Sequence, residues 1–213
     1  MQLISALFSL LTENLIFTKA LGTSTLTVAT KRNSNLPIMS LIISGISAIS
    51  CVVANFMYSQ LHLTGMLKQP YKLGLPILYT AIVSVIYIII LFLLQKICGE
   101  KAEKYKNYVH LSAFNCAVMG TLYLAFTPVY ISQDVEIPKA FYLQGELYSG
   151  FSVTGAMWFG LKNGIGFLLA SLMLSAVRER LYDEEVPEAF RGFPAIMIYT
   201  GLISLAIYSI VTM

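Results

Sequence analysis

The sequence predicts an all-α integral membrane protein with six transmembrane helices, and three observations carry that prediction. Of the 213 residues 57% are hydrophobic and only 12% are charged, about half the charge of a typical soluble domain. The mean hydropathy is +0.73. The apolar residues gather into stretches of roughly 20, the length that crosses about 30 Å of hydrocarbon. No single soluble core hides so much apolar surface, whereas a bilayer solvates it. The net charge of +3 is spread thinly, without a basic block or aromatic-basic platform, so no nucleic-acid partner is expected. Met1-Gln2-Leu3-Ile4 lacks the basic opening of a cleavable signal, so the first apolar stretch is expected to be kept as a helix. Cys51, Cys98 and Cys116 are too few and too deep for a disulfide framework.

The spans follow in order. The first covers about 2–30 and is interrupted. The second covers about 37–61, opened by Pro37, and the third about 74–97. The fourth covers about 108–126, the fifth about 158–177 and the sixth about 193–212. Lys31 to Asn35, Lys68 to Lys72, Glu100 to Lys106 and Asp183 to Pro187 punctuate them as polar loops. Residues 127–150, with Pro128, Asp134, Glu136, Pro138 and Lys139, read as an exposed loop. Lys and Arg favour the cytoplasmic side. With the N-terminus outside, the inner loops hold nine (Lys31, Arg32, Lys96, Lys101, Lys104, Lys106, Arg178, Arg180, Arg191) against three outer ones (Lys68, Lys72, Lys139), so both termini are predicted outside.

Six spans in one domain over 1–213 divide into two sets of three, 1–98 and 99–213. An odd number per set makes the second start from the opposite face. Homologous halves then form a 3+3 inverted repeat, with a site where discontinuous helices meet. Matched polar interruptions in the first and fourth spans carry this expectation.

The first span holds Glu13-Asn14, Lys19, and Gly22-Thr23-Ser24-Thr25. A charge near the bilayer centre costs a few kcal/mol, so Glu13 and Lys19 are expected to face protein or water. Glycine and small hydroxyl residues weaken a helix and offer competing hydrogen bonds. Two half-helices meeting near Gly22–Thr25 are one reading; an interfacial amphipathic helix with Lys19 snorkelling is the other. The fourth span places Asn115 and Cys116 at mid-membrane, with Gly120 one turn on. A thiol there either ligates iron or packs as a small hydrophobe. Cys51 and Cys98 read as structural, and His62 and His110 as interfacial. Gly160-x-x-x-Gly164 reads as a close-packing face. Lys162 between them is a snorkelling cation or part of an ion path. Arg178-Glu179-Arg180 suits the inner end of the fifth helix, and Asp183-Glu184-Glu185 offers a docking surface. No Walker A loop, strand-borne GxGxxG, HExxH or CxxC pair occurs, and a complete active site within this chain is not expected.

These residues resemble the Rnf/Nqr family of membrane subunits, in particular its Rnf A-type and Nqr E-type members. Three stretches carry the resemblance. Glu13-Asn14 through Lys19 to Leu21-Gly22 looks like the family's first-helix motif. Asn115-Cys116-Ala117-Val118-Met119-Gly120 looks like its Asn-Cys-Ala-Val-x-Gly. Arg178-Glu179-Arg180-Leu181, Val186-Pro187, Ala189-Phe190-Arg191-Gly192 and Gly201 to Ala206 look like its fifth-to-sixth-helix segment. The resemblance implies six helices in an inverted repeat, with broken first and fourth helices. It implies pairing with other Rnf/Nqr-like membrane subunits, above all a pseudo-symmetric D/E-type subunit, in a bacterial or archaeal cytoplasmic membrane. It also implies a [2Fe-2S] cluster shared with that partner, in a translocase that couples electron transfer between ferredoxin or quinone and NAD to sodium or proton transport. Cofactor-binding positions then fall on Cys116 and Ser24, and half-helix or ion-path positions on Lys19, Gly22, Asn115 and Lys162.

Two departures stand out. The family's Leu-Gly-x-Cys-Pro is Leu21-Gly22-Thr23-Ser24-Thr25 here. A serine hydroxyl is much harder to deprotonate than a thiol, and metal ligands must be deprotonated. The 127–158 segment is also longer than usual for the family. Three readings therefore stand: an electron-transfer subunit of an ion-translocating ferredoxin/NAD oxidoreductase, a paralogue without the cluster, and a small inverted-repeat ion or solute transporter.

Overall fold

The computed structural model describes residues 14–30, 36–63, 74–99, 102–126, 128–132, 135–138 and 153–211. Eight helices and one hairpin lie within them: α1 (Leu15–Lys19), α2 (Thr23–Ala29), α3 (Leu36–Leu63), α4 (Leu75–Cys98), α5 (Ala102–Ala113), α6 (Cys116–Phe126), β1 (Pro128–Ser132), β2 (Val135–Pro138), α7 (Val153–Leu181) and α8 (Phe193–Val211). Among the described residues four stretches are long and apolar enough to cross a membrane: Leu36–Met57, Pro76–Ile97, Tyr105–Phe126 and Val153–Leu181. The third bridges α5 and α6. Phe193–Ser209 is a shorter apolar helix.

The second, third and sixth predicted spans match α3, α4 and α8 to within two residues at each end. The fifth is longer than predicted: α7 begins at Val153 and runs to Leu181, past the charged Arg178 and Arg180. The exposed-loop reading of 127–150 is corrected in part. Val129 pairs with Ile137 and Tyr130 with Glu136 in an antiparallel ladder, with an irregularity between Tyr130 and Ser132. Val, Tyr and Ile are residue types that strands favour, so the described residues are helical apart from this one hairpin. Glu13 lies outside the described residues, as do the side chains of His62 and Cys98.

The centre of the fold is the α3–α7 pair. A Cβ at Gly160 would stand 2.5 Å from Ala48 Cα, and one at Gly164 would stand 2.2 Å from Ser44 Cβ. Only glycine lets the backbones approach this closely, the basis of small-xxx-small packing in lipid. Ser40 Oγ donates to Gly164 O at 2.8 Å, Ser44 Oγ to Leu161 O at 3.4 Å, and Asn163 Nδ2 to Ser47 Oγ at 2.9 Å. Residue numbers rise along α3 as they fall along α7, so the two helices run antiparallel. Lipid tails are as apolar as leucine and supply no hydrophobic drive between helices, so these contacts and hydrogen bonds hold the pair. The other helices pack around it on Ile43, Ile46, Val83, Leu122, Phe126, Phe167 and Ile196, all buried.

Candidate functional site at two helix interruptions

The first interruption begins at Asn14. Its Oδ1 accepts from the Ile16 amide at 3.0 Å, capping α1, and its Nδ2 donates to Gly166 O on α7 at 2.8 Å. A buried amide with both ends paired fixes the depth at which α1 starts. α1 lasts only five residues. Ala20 ends it in the left-handed region at φ 55°, and the Leu21 amide donates back to Leu15 O at 3.2 Å. That closure satisfies carbonyls that a continuing helix would have used. Gly22, at φ 90°, turns the chain into α2 without a side-chain cap. The break is therefore at Ala20–Gly22, slightly before the predicted Gly22–Thr25; Thr23, Ser24 and Thr25 are already helical.

The second interruption repeats the device. Phe114 and Asn115 separate α5 from α6. Asn115 Oδ1 accepts from the Ala117 amide at 3.0 Å, and its main-chain carbonyl accepts from Val118 at 3.0 Å and Met119 at 3.3 Å. Asn115 is 1% exposed and its Nδ2 has no hydrogen-bond partner among the described residues.

The two interruptions touch. The Gly22 amide donates to Cys116 Sγ at 3.0 Å. A Cβ on Gly22 would stand 3.0 Å from Ala117 Cβ and 3.1 Å from Asn115 Oδ1. The Leu21 side chain lies over Gly120, where a Cβ would meet Leu21 Cδ1 at 2.2 Å. Leu21-Gly22 and the run from Asn115 to Gly120 thus form one interlocked junction, and each glycine is required by the other break. Gly22, Asn115 and Cys116 are brought together at this junction. Ser24 is exposed on the first turn of α2, Cys116 is exposed at the start of α6, and Lys19 is exposed at the end of α1. Lys162 is half-buried on α7, between the packing glycines and one turn from the carbonyl that holds Asn14. Cys51 is fully buried, as its structural reading requires. Among the described residues no three His, Cys, Asp or Glu side chains gather as a metal site.

Other contacts were not evident from sequence. Arg178 Nη1 donates to Thr30 O, the C-cap carbonyl of α2, at 3.1 Å, and the guanidinium lies 5.2 Å from the Tyr182 ring centroid. A cation at a helix C-terminus is favourable, and this one ties α2 to the end of α7. Arg191 donates to Glu184 O and Val186 O, which organises the turn before α8, while Asp183, Glu184 and Glu185 stay exposed. His110 Nδ1 shares a 3.1 Å hydrogen bond with Tyr87 Oη, and its ring packs beside Phe114 at the second interruption. The Ser204 hydroxyl donates to Phe17 O, joining α8 to α1.

Apolar membrane-length helices around two interrupted helices that meet at their breaks define a polytopic membrane protein of the broken-helix type. The family described as Rnf-Nqr subunit, membrane protein, matches residues 3–213, and the chain belongs to that family. It is 24% identical over 211 residues to the E-type subunit of the Na(+)-translocating NADH-quinone reductase of Azotobacter vinelandii, covering 94% of this chain and 92% of that one. It is 25% identical over 206 residues to the same subunit of Idiomarina loihiensis, covering 92% and 90%. It is 29% identical over 143 residues to the A-type subunit of the ion-translocating oxidoreductase complex of Shewanella sediminis, covering 66% and 63%.

Proposed function

We propose that this chain is a membrane subunit of an ion-translocating, Rnf-like ferredoxin/NAD oxidoreductase complex, and that its two interrupted helices form half of an intramembrane electron-transfer site. The observation that carries the reading is the junction itself. Cys116, the thiol at the second break, accepts a hydrogen bond from the glycine at the first. Its named relatives are subunits of such complexes. The chain is one inverted repeat in this reading, 1–98 against 99–213. The antiparallel α3–α7 pair and the like-built breaks at Asn14–Gly22 and Phe114–Asn115 support it. Both termini lie outside a bacterial or archaeal cytoplasmic membrane, as the charge count favours.

A [2Fe-2S] group needs four ligands, ordinarily thiolates. This chain brings one exposed thiol, Cys116, and one exposed hydroxyl, Ser24, on the two helices that meet. That set fits half a ligand shell, with Cys116 the stronger ligand and the remainder drawn from a D/E-type partner subunit. Exposed Ser24, Cys116 and Lys19 near mid-span also call for protein cover, because lipid does not solvate polar and ionisable groups. When bound, the group supplies one-electron chemistry between the two faces of the membrane. The residues of this chain orient it: Gly22 and Asn115 set the backbone, and the rigid α3–α7 pair carries both breaks.

A second reading, a paralogue without the cluster, is favoured by one observation, the serine at the family's cysteine position. Low-temperature EPR of the purified complex separates the two. A reduced-state signal lost in Cys116→Ala supports the electron-transfer reading, and a complex free of iron at this site refutes it.

A further inference from the structure

Away from both interruptions, the junction of α4 and α5 forms a cavity of about 260 Å³, lined by Leu91 and Leu94 and by the polar Gln95, Glu103 and Lys106. That is room for far more than one water, whose share of the liquid is about 30 Å³. The cavity straddles the ends of two membrane-length stretches, Pro76–Ile97 and Tyr105–Phe126. Leu94 and Leu91 lie three and six residues inside Ile97, about 5–9 Å deep at 1.5 Å per residue. Glu103 precedes the second stretch, and Lys106 is its second residue. The inner part of the cavity is therefore apolar, and the outer part carries the charges. Ile88, 63% exposed, continues the stripe of Leu94 and Leu91 along α4 at helical spacing. Gly99 ends α4 at φ 52°, and a Cβ there would meet nothing within 4 Å, so the cavity is open at that end.

The charges come as a matched pair. Lys106 Nζ stands 3.8 Å from Glu103 Oε1, with the two side chains 54% and 85% exposed. An exposed pair of this kind contributes little by itself, so both charges are open to a ligand. Lys96, exposed on the last turn of α4, does not line the cavity, and the charges that do line it sum to zero. We propose that this cavity binds a zwitterionic aminophospholipid, with its phosphate on Lys106, its primary ammonium on Glu103 and an acyl chain along Leu94, Leu91 and Ile88. A net-neutral headgroup that carries both signs satisfies both side chains. An anionic headgroup leaves Glu103 facing a like charge, and a quaternary choline has no N–H to give to the carboxylate. The leucines lie at the depth of acyl chains, so a free phosphoester leaves that part of the cavity unfilled. Neither helix interruption takes part, and the inference is independent of the electron-transfer reading.

The test is native mass spectrometry of the full chain released from detergent micelles and titrated with dioleoyl phosphatidylethanolamine, phosphatidylcholine or phosphatidylglycerol. The wild-type chain is expected to bind the ethanolamine lipid about tenfold more tightly than the choline lipid, the equivalent of one charged hydrogen bond. Glu103→Gln is expected to bring those two lipids to within about twofold of each other. Lys106→Gln is expected to weaken both about equally, because both lose the phosphate contact. Leu94→Trp, which fills the apolar part, is expected to weaken all three lipids. Glu103 is exposed, so its substitution leaves the fold intact, which circular dichroism checks. Equal binding of the ethanolamine and choline lipids by the wild-type chain, or a preference that survives Glu103→Gln, overturns the inference. So does tighter binding of the glycerol lipid, which marks a plain basic surface. Displacement of the lipid by millimolar phosphoethanolamine marks a free-phosphoester site and overturns it as well.

Discussion

Replacing Gly160 by alanine tests the α3–α7 interface that carries both breaks. The added methyl would stand 2.5 Å from Ala48 Cα and 2.6 Å from both Ala48 N and the Ser47 carbonyl carbon. Carbon atoms rest about 3.5–4.0 Å apart, so the helices must separate by roughly 1 Å. All three neighbours are backbone, so no rotamer change relieves the contact. Overpacking of this kind costs about 1–3 kcal/mol. Separation also weakens the Ser40–Gly164 and Asn163–Ser47 hydrogen bonds, each worth about 0.6 kcal/mol in a membrane. The expected loss is therefore about 2–4 kcal/mol. Gly45 on α3 provides the internal control, because a Cβ there meets nothing within 4 Å. Gly45→Ala gains helix propensity of up to about 1 kcal/mol and is expected to be neutral or stabilising. Both variants are measured by dodecyl sulfate titration of the full chain in mixed micelles, followed by circular dichroism. If Gly160→Ala falls within about 0.5 kcal/mol of Gly45→Ala, the range of an inconsequential substitution, the close-packed interface is wrong.

Other predictions use the same assay or a simple label. Ala20→Gly relieves a left-handed alanine and is expected to stabilise by about 1 kcal/mol; a loss of stability would mean that Ala20 is not left-handed. Asn14→Ala removes both the cap of α1 and the bond to Gly166, for an expected loss of about 1–2 kcal/mol. Arg178→Gln is expected to quicken hydrogen exchange at the end of α2, with Arg178→Lys intermediate, because lysine keeps the charge but not the planar fork; equal exchange in all three proteins would dismiss the Thr30 contact. In native membranes lacking partner subunits, N-ethylmaleimide is expected to modify exposed Cys116 and spare buried Cys51, and mass spectrometry of the labelled peptides reads the outcome.

Much of the fold was legible because lipid imposes a simple rule: backbone groups must pair within a segment, so apolar length translates directly into helix. α3, α4 and α8 followed from that rule alone. The interruptions were legible from residue type, since Asn14, Gly22 and Asn115 are poor helix interiors and good ends. Their contact was not, because no periodicity tells which face of one break meets the other. Leu21 over Gly120 and the Gly22 amide on Cys116 are long-range packing facts. Gly160-x-x-x-Gly164 signalled close approach, yet its partner, the serine face of α3, carried no motif of its own. Arg178 and Arg191 read as topology charges and turned out also to bind main-chain carbonyls. The 128–138 hairpin was hidden by prolines and acidic residues that also suit a loop.

The meeting of the two interruptions carries the electron-transfer reading of this chain, and a disulfide tests it most directly. A Cβ built on Gly120 lies 3.8 Å from Leu21 Cβ, about the mean Cβ separation across a disulfide. Leu21→Cys combined with Gly120→Cys, in a Cys116→Ala background, is therefore expected to close a crosslink on mild oxidation in native membranes, seen as a linked peptide by mass spectrometry. Leu21→Cys combined with Gly45→Cys serves as the unlinked comparison. Free thiols at both positions after oxidation, with no linked peptide, would place the two breaks apart and remove the shared site.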